Sequence, residues 1–261
     1  METTGPQEKR RALIDVRRLA IGYGNEPAIM RNLNFSVSAG EIFIIMGGSG
    51  CGKSSLLRCL IGLLRPRSGE VLLFGKKLND AAPRERDALL RRIGVMYQGG
   101  ALWSSMTLLE NVSLPLEEYT TLNAREREEV ARCKLALVGL SAAAEKYPSE
   151  ISGGMAKRAS IARAIALDPE ILFFDEPGAG LDPIASKELD DLTLNIRESL
   201  GTTIVIVTHE LDSIFAVGDR ALFLDAKTKT AGALGAPREL LVSGREDIRR
   251  FLTRAGTMNF S

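Results

Sequence analysis

Cysteine, histidine and aromatic residues are all scarce in this 261-residue chain. It has 3 Cys, 1 His and 1 Trp, and Phe, Trp and Tyr together make up 5%. Cys51, Cys59 and Cys133 form no C-x-x-C pair, which argues against a disulfide framework and points to a reducing compartment. One imidazole with three scattered thiols does not complete a zinc site. A basic excess is missing too. Lys+Arg 34 against Asp+Glu 33 leaves a net charge of +1, a poor footprint for a nucleic-acid partner or for adsorption on anionic lipid. The longest apolar runs, around Ile42–Met46, Ile171–Phe174 and Ile204–Val207, are a few residues each, where a membrane span needs ~20. The stretch Met1 to Arg11 is polar and lacks an apolar h-region, so no signal peptide is expected. With 45% hydrophobic and 26% charged residues, the body can bury a core, and disorder is expected at the start, residues 1–11. A soluble, cytosolic chain built around one large domain follows.

What is present is an alternation of strands and helices, which predicts a largely parallel sheet with crossover helices. Strands are expected at Glu41–Met46, Ile93–Tyr97, Ile171–Phe174 and Thr202–Val207, where apolar residues run continuously, as in strands buried on both faces. Helices are expected at Ser54–Leu64, Pro183–Leu200 and Leu211–Val217. Ile14 to Val37 reads as antiparallel strands with a turn at Gly22–Pro27. From about Thr107 to Ala166 only helical patterns occur, among them the charged amphipathic stretch Ala124–Leu137. The fold class is therefore α/β, with an antiparallel β subdomain and a helical subdomain, residues 107–166, inserted into the core.

Gly47-Gly48-Ser49-Gly50-Cys51-Gly52-Lys53-Ser54 satisfies G-x-x-x-x-G-K-[ST], between a strand and an apolar helix. Such glycines let successive N–H groups converge on a phosphate, and the helix start adds the positive end of its dipole. Lys53 is expected to reach the β- and γ-phosphates, Ser54 to ligate Mg²⁺, and Ser55 to lie within the same nucleotide contact. Ile171-Leu172-Phe173-Phe174-Asp175 is an apolar strand ending in an acid, with Glu176 next. The carboxyl end of a parallel strand is where ligands sit. Asp175 there suits Mg²⁺ through water, and Glu176 suits an attacking water.

Ser152-Gly153-Gly154-Met155 opens the helix Ala156–Ala166. Alone it reads as an N-cap with a flexible turn. In a chain that already holds a phosphate loop it reads as a second anion site, combining a hydroxyl, bare amides and a helix dipole.

With these motifs in order the chain resembles an ATP-binding-cassette (ABC) ATPase over roughly Ile14 to Leu241. The resemblance implies ATP and Mg²⁺ as cofactors and water attack on the γ-phosphate in a head-to-tail homodimer. In such a dimer each ATP lies between one phosphate loop and the partner's signature, here Ser152–Met155. It also implies that Tyr23 stacks on adenine and that Gln98 senses Mg²⁺ and links to the transport partner. His209 would contact the γ-phosphate, and Gly178–Asp182 would cross the dimer interface, where Met155 and Asp182 would lie. The cassette is expected over residues 12–248, with a separate tail at 249–261.

Two departures narrow the branch: Met155 where most transporters carry Gln, and the run Gly100-Ala101-Leu102-Trp103 leading to Glu110-Asn111-Val112 and Leu114-Pro115-Leu116. Both resemble the Mce/Mla lipid-transport ATPases, with Trp103 in place of the usual Phe. That branch implies a phospholipid or other lipid substrate, a membrane permease, an Mce-domain substrate-binding protein and a STAS-domain subunit. It places the chain peripherally on the cytoplasmic side of the inner membrane. Alternatives left open are an importer ATPase for another small substrate such as amino acids, and a soluble cassette in cofactor assembly. Cys51 occupies a variable position of the loop. A helix start lowers a thiol pKa, so a thiol reagent is expected to block the ATPase there. In the tail, Met258, Asn259 and Phe260 suggest docking on a partner or the other protomer, set against plain disorder.

Overall fold

Residues 11–24 and 26–253 are described by the structure, a computed structural model. The chain opens with strands β1 (Ala12–Ile21) and β2 (Met30–Ser38), paired antiparallel with Val16 opposite Phe35. After β3 (Ile42–Gly47) and α1 (Lys53–Leu60), strands β4 (Ser68–Leu73) and β5 (Lys76–Lys77) complete a four-stranded sheet in the order β2-β1-β4-β5. Ile14 and Val16 point into the core and Arg17 out to solvent, the period-two alternation of a sheet covered on one face.

A second sheet forms the centre. Helix α2 (Pro83–Leu90) leads to β6 (Ile93–Met96), and the helical segment that follows ends before β7 (Ile171–Asp175). Then come α6 (Pro183–Leu200), β8 (Thr203–Val207), α7 (Leu211–Val217), β9 (Arg220–Asp225) and β10 (Thr230–Gly235), with α8 (Pro237–Ser243) and α9 (Glu246–Leu252) last. The order is β10-β9-β3-β8-β7-β6, parallel except for β10 on its edge. Alternate residues of each central strand enter different cores. Phe43, Ile45, Phe173 and Val205 pack with α1 and the antiparallel sheet, whereas Ile44, Phe174 and Ile206 pack with the helices of the other face. Burial on both faces is why these strands are uninterrupted apolar runs.

Between Thr107 and Ala166 the described elements are all helical. They are α3 (Leu108–Tyr119), α4 (Ala124–Leu137), two short 3₁₀ turns and α5 (Gly153–Ala164). Thr107 with Glu110, and Asn123 with Glu126, form reciprocal capping boxes that start α3 and α4. Leu108, Val112, Leu135 and Ile161 share one core with Met96 and Phe174, so the inserted helices are welded to the sheet.

Helix α1 stops at Leu60, short of the expected Leu64. Gly62 takes a left-handed φ of 75°, and the Leu63 N–H turns back to the Arg58 carbonyl at 2.8 Å, a glycine-terminated helix end. The expected tail boundary at residue 249 is also corrected, because it cuts through α9. There Ile248 and Leu252 are buried, and Phe251 meets the edge of Phe223 with ring centroids 5.3 Å apart. Apolar spacing within α9 holds it on the body. Residues 1–10 and 254–261, with Met258, Asn259 and Phe260, lie outside the described residues. No helix among the described residues is long and apolar enough to cross a membrane.

Candidate functional site

Four adjacent parallel strands deliver their carboxyl ends to one cleft. The glycine loop follows β3, Gln98 follows β6, Asp175 and Glu176 end β7, and His209 follows β8. The cleft measures about 830 Å³ and is lined by Gly47–Gly50, Gly52–Ser55, Gln98, Glu176 and His209. Ile29, Leu211, Arg250 and Phe251 complete its wall, and no sequence pattern marks any of these four. Arg250 and Phe251 arrive only because α9 folds back onto the body.

The loop needs its glycines for close approach. A Cβ on Gly47 would lie 2.7 Å from both the Leu224 carbonyl and Cys51 Sγ, and Gly52 sits at a φ of 98°. Gly52 also starts α1 with no side-chain cap, which leaves the first-turn N–H groups to a ligand. Lys53 Nζ donates to the Gly47 and Gly48 carbonyls at 3.0 and 3.3 Å, so its ammonium bridges the mouth of the loop.

Asp175 lies under the cleft without forming its wall. Its Oδ1 is buried and has no hydrogen-bond partner among the described residues. Burial, then the neighbouring Glu176 charge, hold this carboxyl above the usual aspartate range. Glu176 is 7% exposed and adopts a left-handed φ of 48°, a strained choice for a residue that carries a Cβ. Its N–H is tied to the Val207 carbonyl at 2.8 Å. His209 Nδ1 lies 3.0 and 2.8 Å from the two Glu176 carboxylate oxygens. With the carboxylate ionised it can only accept, and the contact is then made by the tautomer that carries hydrogen on Nδ1. The sequence separates Glu176 and His209 by 33 positions; the β7–β8 register, with Asp175 opposite Val207, makes them neighbours.

Neither Tyr23 nor Cys51 lines this cleft. The Tyr23 ring is exposed, and its hydroxyl pairs with Ser55 Oγ at 3.2 Å and accepts from the Arg58 guanidinium at 3.1 Å. Those bonds, led by Ser55, lower its pKa. Cys51 is buried behind the loop, and burial pushes its thiol pKa up, with Lys53 acting the other way. Dehydration thus outweighs the helix start, and the expectation of easy alkylation at Cys51 is corrected. Cys133 is the exposed thiol.

Ser152, Gly153 and Gly154 line a different, smaller cavity of about 270 Å³, together with Arg158, Gly180, Leu181 and Asp182. Ser152 caps α5, its Oγ accepting from the Met155 N–H at 3.3 Å. Asp182 caps α6 by accepting from the Ile184 and Ala185 N–H groups, both at 3.0 Å, and these bonds, Ala185 first, lower its pKa. None of Ser152–Met155 reaches the cleft that holds Lys53.

The sequence profile of the ABC transporter family matches residues 30–179. The intermembrane phospholipid transport system ATP-binding protein MlaF of Haemophilus influenzae is 39% identical over 237 residues, covering 91% of this chain and 88% of that protein. The probable ribonucleotide transport ATP-binding protein mkl of Mycobacterium tuberculosis is 38% identical over 251 residues, covering 95% and 69% respectively. Among solved structures, the ATP-binding cassette MJ0796, as a post-hydrolysis dimer bound to ADP and Pi, superposes with a TM-score of 0.77. It is 30% identical, over 85% of this chain and 98% of that one. A phosphate loop, a β7 acid pair and a capped Ser-Gly-Gly helix on this sheet order, found with such identities, make the chain an ATPase of the ABC transporter family.

Proposed function

We propose that the chain works as a head-to-tail pair whose ATP turnover drives lipid, specifically phospholipid, transport through a membrane permease. The observation that carries the pairing is the separation of two anion-binding ends on one chain. The cleft around Lys53 and the turn at Ser152–Gly154 lie in different cavities, and a two-fold related copy can bring each to the other. The dimeric state of the MJ0796 cassette, bound to ADP and Pi, supports a pairing of copies.

In the proposed cycle the loop amides and Lys53 hold the ATP phosphates, and Tyr23 lies against the adenine. The partner's Ser152–Gly154 amides stabilise charge on the γ-phosphoryl oxygens. Glu176 orients the attacking water and takes up its proton, and the Glu176–His209 contact holds the carboxylate in place. The residues present fit Mg²⁺. Asp175 offers a buried carboxylate oxygen that lacks a donor, and Ser54 offers an exposed hydroxyl beside the loop. Mg²⁺ is usually bound by one or two carboxylates plus substrate phosphates and water, so a dense ligand cluster is not required. Ser54, Gln98 and, through water, Asp175 would hold it. When bound, the ion neutralises charge on the phosphate oxygens.

The lipid reading rests on the identity to MlaF together with Met155 and the loop Gly100–Trp103. The partners of this reading are a permease, an Mce-domain protein and a STAS-domain subunit, with the chain peripheral on the cytoplasmic side of the inner membrane. The name of the mycobacterial relative favours a second reading, ribonucleotide transport. A mild-detergent pull-down from native membranes, with mass spectrometry of proteins and lipids, separates the two. A multi-span permease with an Mce-domain protein and enriched phospholipid is expected. A permease with a different binding protein and no enriched lipid removes the lipid reading, and soluble partners alone remove the transporter.

A further inference from the structure

Lys157 is 8% exposed and takes no part in the catalytic cleft. Its ammonium donates to the main-chain carbonyl of Gln98. One turn along α5, Ser160 is fully buried; its hydroxyl lies 2.8 Å from the Gly100 carbonyl, with the Ala156 carbonyl at 2.9 Å as the other acceptor. A further turn along, the Arg163 guanidinium donates to the Ala101 carbonyl at 2.8 Å and to the Gly100 carbonyl at 3.0 Å. Residues 157, 160 and 163 form a single stripe at helical spacing, and all three grip the segment that carries Gln98.

That segment has a shape it does not favour by itself. Gly100 and Ala101 are consecutive left-handed residues, with φ of 76° and 50°. A side chain at 100 would collide with Ser160 Oγ, which lies 2.7 Å from the Cβ position. The strained turn persists because the carbonyls it exposes are taken by the buried Ser160 hydroxyl and the half-buried Arg163 guanidinium.

We infer that α5 clamps the Gln98–Ala101 backbone through Lys157, Ser160 and Arg163 and so fixes where the Gln98 side chain enters the cleft. Lys157 is a positioning residue for Gln98. This inference rests on the proposed role of Gln98 in the reaction.

A double-mutant cycle on the full chain tests it. Lys157→Met is expected to lower kcat about tenfold with the ATP KM within about twofold, and Lys157→Arg to recover most of the loss. The double variant Lys157→Met/Gln98→Ala is expected to be no slower than Gln98→Ala alone, because Lys157 acts through Gln98. A Lys157→Met chain at the wild-type rate beside a slow Gln98→Ala chain overturns the clamp, as do losses that multiply in the double variant. If Gln98→Ala itself runs at the wild-type rate, the role of Gln98 falls and the clamp with it. Should Lys157→Met not fold, Arg163→Lys runs through the same cycle with the same outcomes. It keeps the charge but loses the two-carbonyl fork.

Discussion

The phosphate loop and the signature turn are both glycine-rich helix starts, yet one is surrounded and the other is bare. Gly47–Ser55 faces Gln98, Glu176 and His209 across a cleft of about 830 Å³, all supplied by the same chain. Ser152–Gly154 borders a cavity of about 270 Å³ whose companions are Arg158 and the turn Gly180–Asp182, with no catalytic carboxylate or histidine in its wall. The capping differs as well. Gly52 leaves α1 without a side-chain cap, whereas the Ser152 hydroxyl already occupies the Met155 N–H at the start of α5. In the proposed reading the first region holds the polyphosphate and the second completes a site on another copy. A chain containing both halves in separate places is suited to cooperation between copies.

The sharpest break of this asymmetry is Glu176→Gln. It removes the carboxylate proposed to orient the water while leaving the loop and the signature intact, so turnover is expected to fall about a hundredfold or more. ATP-dependent dimerisation should persist on gel filtration, and turnover near the wild-type rate would take Glu176 out of its proposed role.

Complementation tests the division of labour directly. Lys53→Ala and Gly154→Asp chains are each expected to be nearly inactive. In an equimolar mixture about half the dimers pair unlike chains, and each such dimer regains one intact composite site. About a quarter of the wild-type sites therefore return. A mixture no more active than its components contradicts a site shared between copies.

His209 should give a smaller effect, because it supports Glu176 and the cleft is otherwise complete. His209→Ala is expected to lower turnover about tenfold. The chain has 1 histidine, so a single imidazole NMR signal should shift when an ATP analogue and Mg²⁺ are added. Identical titration with and without nucleotide would detach His209 from the site.

Thiol reactivity should follow the same divide with the smallest effect. Cys51 is buried in the finished cleft and Cys133 is exposed on α4. Maleimide is therefore expected to label Cys133 first and to leave ATP turnover within about twofold of its starting value. Labelling of the native Cys133→Ser chain at Cys51, with loss of activity, would show that the loop opens.

The parts legible in the sequence are those whose signal is local. Ile171–Phe174 and Ile204–Val207 announce buried strands because both faces of each strand are apolar, and α6 and α7 span the residues that their apolar spacing predicts. Helix α5 begins at Gly153, ahead of the expected Ala156, because the Ser152 cap outweighs the poor helix propensity of two glycines. The strand Thr230–Gly235 and the seven-residue helix Pro237–Ser243 left little trace. The first is a half-buried edge rich in small residues, and the second is too short for a clear period.

The sequence by itself determined the chemistry of the chain: a loop with glycines where amides must converge, a lysine at its end, an acid pair after an apolar strand and a second bare helix start. Those features depend on residues adjacent in the chain, so a linear reading finds them. Tertiary structure alone decided the rest. It set His209 against Glu176 through the β7–β8 register, buried Cys51 in the core that also holds Leu224, brought Arg250 and Phe251 to the cleft, and laid Lys157 on the Gln98 carbonyl. Each of these contacts joins segments tens of residues or more apart. Their geometry follows from how strands and helices pack, which no local pattern encodes.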